Sequence, residues 1–447
     1  MPDLGLPPPT VSDIFRYRYQ HGTNLGSMFM HGPWLDNNVS ERDLDGSKEL
    51  EALKRDVARC NSIRIPIGFY TFGPTFCLGT GFEGEPSLVY NNCWNILKRL
   101  IVQCSNHGIG VLIDLKSIPG GKDKYGEENS EKEITFHDLW GVIGVQISSE
   151  KDWRTWGHDW YDEVLEITSS IDPTLPIYIN DGQNLHAALD YAILKNRLPA
   201  PVGRSPIIVE SHKHFTSESD RSLGPRAIIG RVSDELTELA AHHDKVVSQG
   251  IAIDVYVGEW SCVMDDQTWK RVDMSERPEL TKRFGQAQAR QWASKACGSA
   301  FCSFKPNGMY DADMDYERQV STGAIPSPVW LTFPRLKVLA KLDQAESQRA
   351  ELKNKFLSQT SASTSPHGRR RFCLGWDLGF SDALNFFAAM ARDILPGHRV
   401  GGDKIGAMEL WIRKRVMEAS CLGEDLDLEW ENGFRTGVDD FYNTVGI

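Results

Sequence analysis

Eight short runs rich in β-branched and other apolar residues recur along the first two thirds of the chain. They are HGTNLGSMF (21–29), SIRIPIGF (62–69), GVLIDLK (110–116), VIGVQIS (142–148), PIYIND (176–181), PIIVESH (206–212), IDVYVGEW (253–260) and SAFCSFK (299–305). Their apolar residues run almost continuously instead of alternating with polar ones, which suits strands covered on both faces of a parallel sheet. Amphipathic stretches lie between them, among them ELEALKRDVARC (49–60), CWNILKRLIVQCSNHG (93–108, with Gly108 as the stop) and DELTELAAHHDKVVSQG (234–250). Strands alternating with helices eight times predict an α/β fold, a (β/α)8 TIM barrel over residues 15–333. Its active site belongs at the carboxyl ends of the strands.

Residues 334–447 have a different rhythm and predict a C-terminal helical extension packed on the barrel. A helical run at 335–357 precedes a Ser/Thr-rich stretch, 358–368, expected to be a mobile loop, and more helix follows. Two segments there share one pattern, WDLGFSDALNFF (376–387) and WENGFRTGVDDF (430–441). They read as two similarly docked helices, with aromatic anchors and a glycine that lets the backbones approach.

Composition narrows the function. The 447 residues carry 61 acidic against 49 basic side chains, a net charge of -12, which argues against a nucleic-acid partner. No uninterrupted apolar run is long enough to predict a membrane partner, and the first twenty residues lack the pattern of a secretory signal, so the chain is expected inside the cell. Nine cysteines without a CxxC or Cys/His cluster fit a reducing compartment and predict no metal and no cofactor. The expected partner is a small molecule or an oligosaccharide.

Two carboxylates stand at strand ends: Glu150, after the fourth run, and Glu259, ending the seventh. Strand ends four and seven face each other across a barrel mouth. Paired carboxyls there are what retaining glycoside hydrolysis uses: one, kept ionised by a cation, attacks the anomeric carbon, while the other protonates the leaving oxygen and then activates water, at a separation of roughly 5 Å. Among 61 acidic residues such a pair also arises by chance, so spacing alone does not decide it.

HGTNLGSMF, SIRIPIGFY, VLIDLKSIPGG, VIGVQISSE, VESHKHF and YVGEWS, in that order, resemble the barrel signature of glycoside hydrolase family 5, nearest its fungal exo-β-1,3-glucanase branch, and the tail resembles that of intracellular fungal members. The resemblance spans about residues 15–310. It implies Glu150 as acid/base, Glu259 as nucleophile, Arg64 as the arginine that keeps the nucleophile ionised, and His212 as the histidine beside the site. Lys116, Ser149, His214 and Trp260 complete the expected pocket wall.

Several sugar-handling positions depart from the family. Its glutamate after strand one falls on Gly32 and a nearby tryptophan on Met28; Asp-Leu-His-Gly becomes Asp114, Leu115, Lys116, Ser117. The asparagine before the acid/base is Ser149, the tyrosine past the strand-six histidine is His214, and the stacking tryptophan of strand eight falls on Cys302 or Phe304. The first expectation is therefore a retaining β-glycosidase acting on a β-glucoside or β-1,3-glucan fragment. The alternative is the same barrel recruited to non-hydrolytic acid/base chemistry, such as cyclisation, isomerisation or dehydration of a small metabolite; a non-catalytic binding barrel is a third. Lys116 reads either as a cation at the mouth that lowers carboxylate pKa values or binds an oxyanion, or as a surface lysine paired with Asp114. Trp153, Trp156 and Trp160 share a helix face and read as core before sugar platform. The polar loop at 120–131 is either solvated or a lid.

Overall fold

The computed structural model describes residues 4–25, 60–117, 141–147, 153–199, 203–304, 312–359, 365–397 and 400–447. Residues 49–59 of the amphipathic stretch 49–60, the 120–131 segment and the centre of the 358–368 stretch lie outside them. Every one of the eight runs overlaps a strand: β1 (Gln20–Asn24), β2 (Ser62–Gly68), β3 (Gly110–Ser117), β4 (Val142–Ile147), β5 (Ile177–Asn180), β6 (Ile207–Phe215), β7 (Val255–Met264) and β8 (Gly298–Phe301). Each pairs in parallel with its sequence neighbours, and β8 closes on β1 through Gly22↔Ala300. The result is a (β/α)8 barrel with C-terminal helices.

The register explains the continuous apolar runs. Val111 and Ile113 of β3, Ile177 and Ile179 of β5, and Ile207 and Val209 of β6 pack outward into a cluster shared with the surrounding helices. The alternate residues Leu112, Tyr178 and Ile208 enter a second cluster inside the barrel floor, where Tyr178 meets Tyr256 edge-on at 5.5 Å. Further along the same strands the inward positions turn polar: Asp114 and Lys116, Asn180, then Glu210 and His212. The floor is a packed core, and the carboxyl-end mouth holds the chemistry.

The helix Cys93–Asn106 presents Cys93, Leu97, Leu100, Ile101 and Cys104 to the outer cluster at helical spacing, and Gly108 follows it with φ +70°. The stretch 234–250 is not one helix. Leu236 and Asp244 take left-handed φ of 60° and 61°, which a continuous right-handed helix cannot hold, and the segment is divided into short 3-10 and α turns at Val232–Asp234, Thr237–Ala241 and Val246–Gln249.

The tail closes the floor. Tyr19, Asn61 and Asp254 directly precede β1, β2 and β7, and all three bond to it: the Tyr19 N–H donates to the Lys404 carbonyl (2.8 Å), Asn61 Nδ2 to Asp403 (3.0 Å), and the Leu410 N–H to Asp254 (2.9 Å). The floor cluster also takes in Trp376, Phe386, Trp411 and Phe434. The tail therefore sits opposite the mouth. The two repeated segments lie on helices Pro366–Ala388 and Leu428–Val445, which run in the same direction: Gly375 meets Trp430 and Phe434, and Gly437 meets Trp376 and Phe380. A methyl on Gly375, Gly379, Gly433 or Gly437 would stand 2.0 to 2.2 Å from a carbonyl oxygen of the partner helix, so close approach depends on glycine at all four positions. Of the expected loop, residues 358–359 continue the helix Arg335–Gln359, and Ser365 caps the next helix through the Gly368 N–H. Among the described residues no helix is long and apolar enough to cross a membrane.

Candidate active site

β7 presents Glu259 at the mouth, past a register shift between Val257 and Trp260. Its carboxylate, 13 % exposed, is the focus of the site. Arg64 from β2 donates Nη1 to Oε1 at 2.8 Å, and Lys116 from β3 donates Nζ to the same oxygen. His212 Nε2 stands 3.8 Å from Oε1 and His214 Nε2 4.0 Å from Oε2, both from β6. Burial alone would raise the pKa of Glu259; Arg64, then His212 and Lys116, outweigh it and hold the carboxyl well below the usual range.

Arg64 is itself fixed on every side. Its Nε donates to Gln146 (2.8 Å), Nη1 also to Asn24 (3.0 Å), and Nη2 pairs with fully buried Asp114 (2.8 Å). Burial would make this guanidinium easier to deprotonate, but Asp114 and Glu259 more than compensate, so it is a permanent cation. Beneath His212, Glu210 is completely buried, with Oε1 2.8 Å from His212 Nε2 and Oε2 accepting from Asn180 (2.6 Å). Its berth exists because residue 258 is glycine: a Cβ there would lie 1.8 Å from Glu210 Oε1. Burial favours the neutral forms of both partners, yet their mutual attraction lowers the Glu210 pKa and raises that of His212. His214 goes the other way: burial lowers its pKa further than Glu259 raises it.

The chain is similar to proteins named as glycoside hydrolases. Residues 341–445 match the glucan 1,3-beta-glucosidase 3 C-terminal domain. Along 91 % of its length the chain is 24 % identical to glucan 1,3-beta-glucosidase 3 of Schizosaccharomyces pombe, covering 92 % of that protein. Along 98 % it is 23 % identical to an uncharacterized glycosyl hydrolase of Saccharomyces cerevisiae, covering 94 % of it. The chain is glycoside hydrolase-like. An endocellulase from Pyrococcus horikoshii aligns with 68 % of the chain and 91 % of its own at 17 % identity and a TM-score of 0.39.

In this glycoside hydrolase-like chain, Arg64, Lys116, His212, His214 and Glu259 converge as the sequence led us to expect, while Ser149 and Glu150 lie outside the described residues, as do Met28 and Gly32. The pairing of Lys116 with Asp114 is not formed: Asp114 serves Arg64, and Lys116 serves Glu259, which also leaves Lys116 engaged instead of open to an oxyanion. Trp260 is not on the pocket wall. It is 1 % exposed, turned outward and edge-on to Phe301 at 5.0 Å, because neighbours on a strand face opposite sides and Glu259 has taken the inward one. Phe304 is buried against Tyr316, whereas Cys302 is part-exposed and lies within the field of Glu259, Lys116 and Arg64. Cys302, the residue after β8, is thus the one of the two that senses the charge of Glu259. Trp160 packs against the outer cluster.

Asn24, Gln146, Asn180 and Glu210 were not singled out in the sequence. Asn24, Gln146 and Asn180 sit at inward positions within one residue of a strand's carboxyl end, and Glu210 sits inward on β6, two residues before His212. His212, His214 and Glu259 bring potential ligand atoms within 4.8 Å of one another. They suit a metal ion poorly: Arg64 and Lys116 already hold Glu259, His212 is engaged with Glu210, and an added ion would face two fixed cations.

Proposed function

We propose that the chain is a retaining β-glycosidase acting on β-glucosides or β-1,3-glucan fragments, with Glu259 as nucleophile and Glu150 as acid/base. One observation carries this reading: the Glu259 carboxylate is held ionised by Arg64 and Lys116, which both donate to Oε1, while Oε2 accepts no hydrogen bond from the described residues. Oε2 is the oxygen that attacks. The carboxylate bonds to the anomeric carbon as the glycosidic bond breaks, and Glu150 gives its proton to the leaving oxygen. Water then attacks the same carbon, giving its proton to Glu150, and the bonding pair returns to Glu259. The kinship with a glucan 1,3-beta-glucosidase supports a β-1,3-glucan fragment as substrate. Arg64 and Asn24 act on Glu259 by fixing its position and charge.

The test is hydrolysis of aryl β-glucosides and laminari-oligosaccharides, with a 2-deoxy-2-fluoro-β-glucoside as trap. Turnover with retained configuration, loss of turnover in Glu259→Gln and a covalent adduct on the peptide containing Glu259 are expected. Undiminished turnover in Glu259→Gln, or inverted product, would sink the assignment.

A further inference from the structure

We propose that Lys116 is a positioning residue that makes Glu259 an unusually good leaving group, so that water clears the glycosyl-enzyme faster than it forms. This rests on the reading of Glu259 as nucleophile.

The argument starts from which charges Glu259 shares. From β2 it faces Arg64, whose guanidinium is equally committed to buried Asp114 of β3. From β6 it faces His212, committed to buried Glu210, and His214, which burial keeps toward the neutral form. From β1 it faces the neutral Asn24 amide through Arg64, and beyond β8 the thiol of Cys302, pushed up to about 12 by burial and by Glu259 itself, so neutral. Arg64–Asp114 and His212–Glu210 are each balanced pairs. Lys116 is the cation whose ion pair, among the described residues, is with Glu259 alone. Its side chain is 23 % exposed, and its ammonium sits on Oε1 beside Arg64, so that Oε2 accepts no hydrogen bond from the described residues.

A fixed positive charge stabilises the carboxylate far more than the neutral glycosyl ester formed by attack. In the first step the C1–Oε2 bond forms, the bond to the leaving oxygen breaks, and the charge on Glu259 is discharged beside Lys116, which costs energy. In the second step the water oxygen bonds to C1, its proton passes to the acid/base, the C1–Oε2 bond breaks, and the electron pair returns to Glu259, where Lys116 receives it. Lys116 therefore slows the first step and speeds the second.

The experiment compares wild type, Lys116→Met and Lys116→Arg on a dinitrophenyl β-glucoside, whose good leaving group makes the first step easy. For Lys116→Met we expect kcat to fall about tenfold or more, KM to fall in proportion, kcat/KM to hold or rise, and a burst of dinitrophenol to appear as the ester accumulates. The acid limb of kcat/KM should move to higher pH, because one of the cations that hold Glu259 ionised is gone. Lys116→Arg should restore wild-type behaviour. If kcat and kcat/KM fall together, with no burst and an unmoved acid limb, Lys116 only shapes the pocket and the inference is overturned. A wild-type protein inert to every glycoside overturns the glycosidase reading, and the kinetic role of Lys116 with it; active wild type with an unsplit variant overturns the role of Lys116 alone.

Discussion

Gly375→Ala tests how the tail is built. The added methyl would stand 2.0 Å from the Trp430 carbonyl oxygen and 2.9 Å from the Phe434 nitrogen, both backbone atoms of the opposing helix. Relief to an ordinary contact of about 3.4 Å needs the helices to part by roughly 1.4 Å, since backbone cannot rotate away as a side-chain tip would. Overpacking of this kind costs about 1–3 kcal/mol, and a backbone neighbour puts this site toward the upper end. Gly437→Ala, whose methyl would meet the Trp376 carbonyl at 2.2 Å, should cost a similar amount. The sharper expectation is their coupling. Once the first methyl has parted the helices, the second finds room, so the double variant should fall short of the sum by about 1 kcal/mol or more. Urea unfolding followed by tryptophan fluorescence reads this directly, because Trp376 and Trp430 are both fully buried beside this interface. A loss under about 0.5 kcal/mol for either single variant, or strict additivity, would refute the close-contact account.

Arg64→Lys should lower kcat/KM by about two to three orders of magnitude, because one ammonium cannot reach Gln146, Asn24, Asp114 and Glu259 together; activity within threefold of wild type would contradict this. Asp254 at the floor is pushed up to about 8 by burial and by Glu409, against the Leu410 and Glu409 N–H groups and Arg435. The folded protein thus holds a proton that the unfolded chain gives up near the ordinary 3.8, so stability falls as pH rises between these values, by up to roughly 1.4 kcal/mol per unit. Asp254→Asn should flatten that slope in urea midpoints taken from pH 5 to 8, and an unchanged slope would count against it. Cys302, with its thiol pushed up to about 12, should alkylate with iodoacetamide at pH 7.5 far more slowly than exposed Cys421, as peptide mapping would show; first labelling at Cys302 would mean the thiol is not shielded.

The barrel was legible because burial on both faces of a strand leaves a local mark, a near-continuous apolar run, and eight such marks admit few topologies. The segment 234–250 misled because its apolar spacing is helical while Leu236 and Asp244 adopt left-handed backbone, a choice set by packing and not by propensity. The tail glycines were legible as a repeat, but the reciprocal fit of Gly375 and Gly379 against Gly433 and Gly437 needs two helices 58 positions apart to be aligned in space. In the site, His212 and Glu259 could be found from strand ends, whereas Arg64, the third residue of β2, was singled out only by the family resemblance. The partners Asp114, Gln146 and Asn24 come from three other strands and are selected by barrel register, which no local window contains. Trp260 shows the reverse case: strand alternation alone excludes it from the face that Glu259 occupies.

Charge balance at the mouth bears on substrate choice. Among the described residues, Arg64, Lys116 and His212 carry the positive charge and Asp114, Glu210 and Glu259 the negative, and each cation touches a carboxylate. Among the described residues of the mouth no such cation is left over to bind a phosphate or sulfate group, and a chain with a net charge of -12 adds a repulsive far field for anions. A cationic substrate would have to compete with Lys116 and Arg64 for Glu259, at close range and in a part-buried site where such competition is expensive. A neutral ligand meets neither obstacle. The described arrangement around Glu259 therefore favours a neutral ligand on electrostatic grounds, and if the proposed glycosidase reading holds, raising the salt concentration should leave KM for a neutral glucoside nearly unchanged.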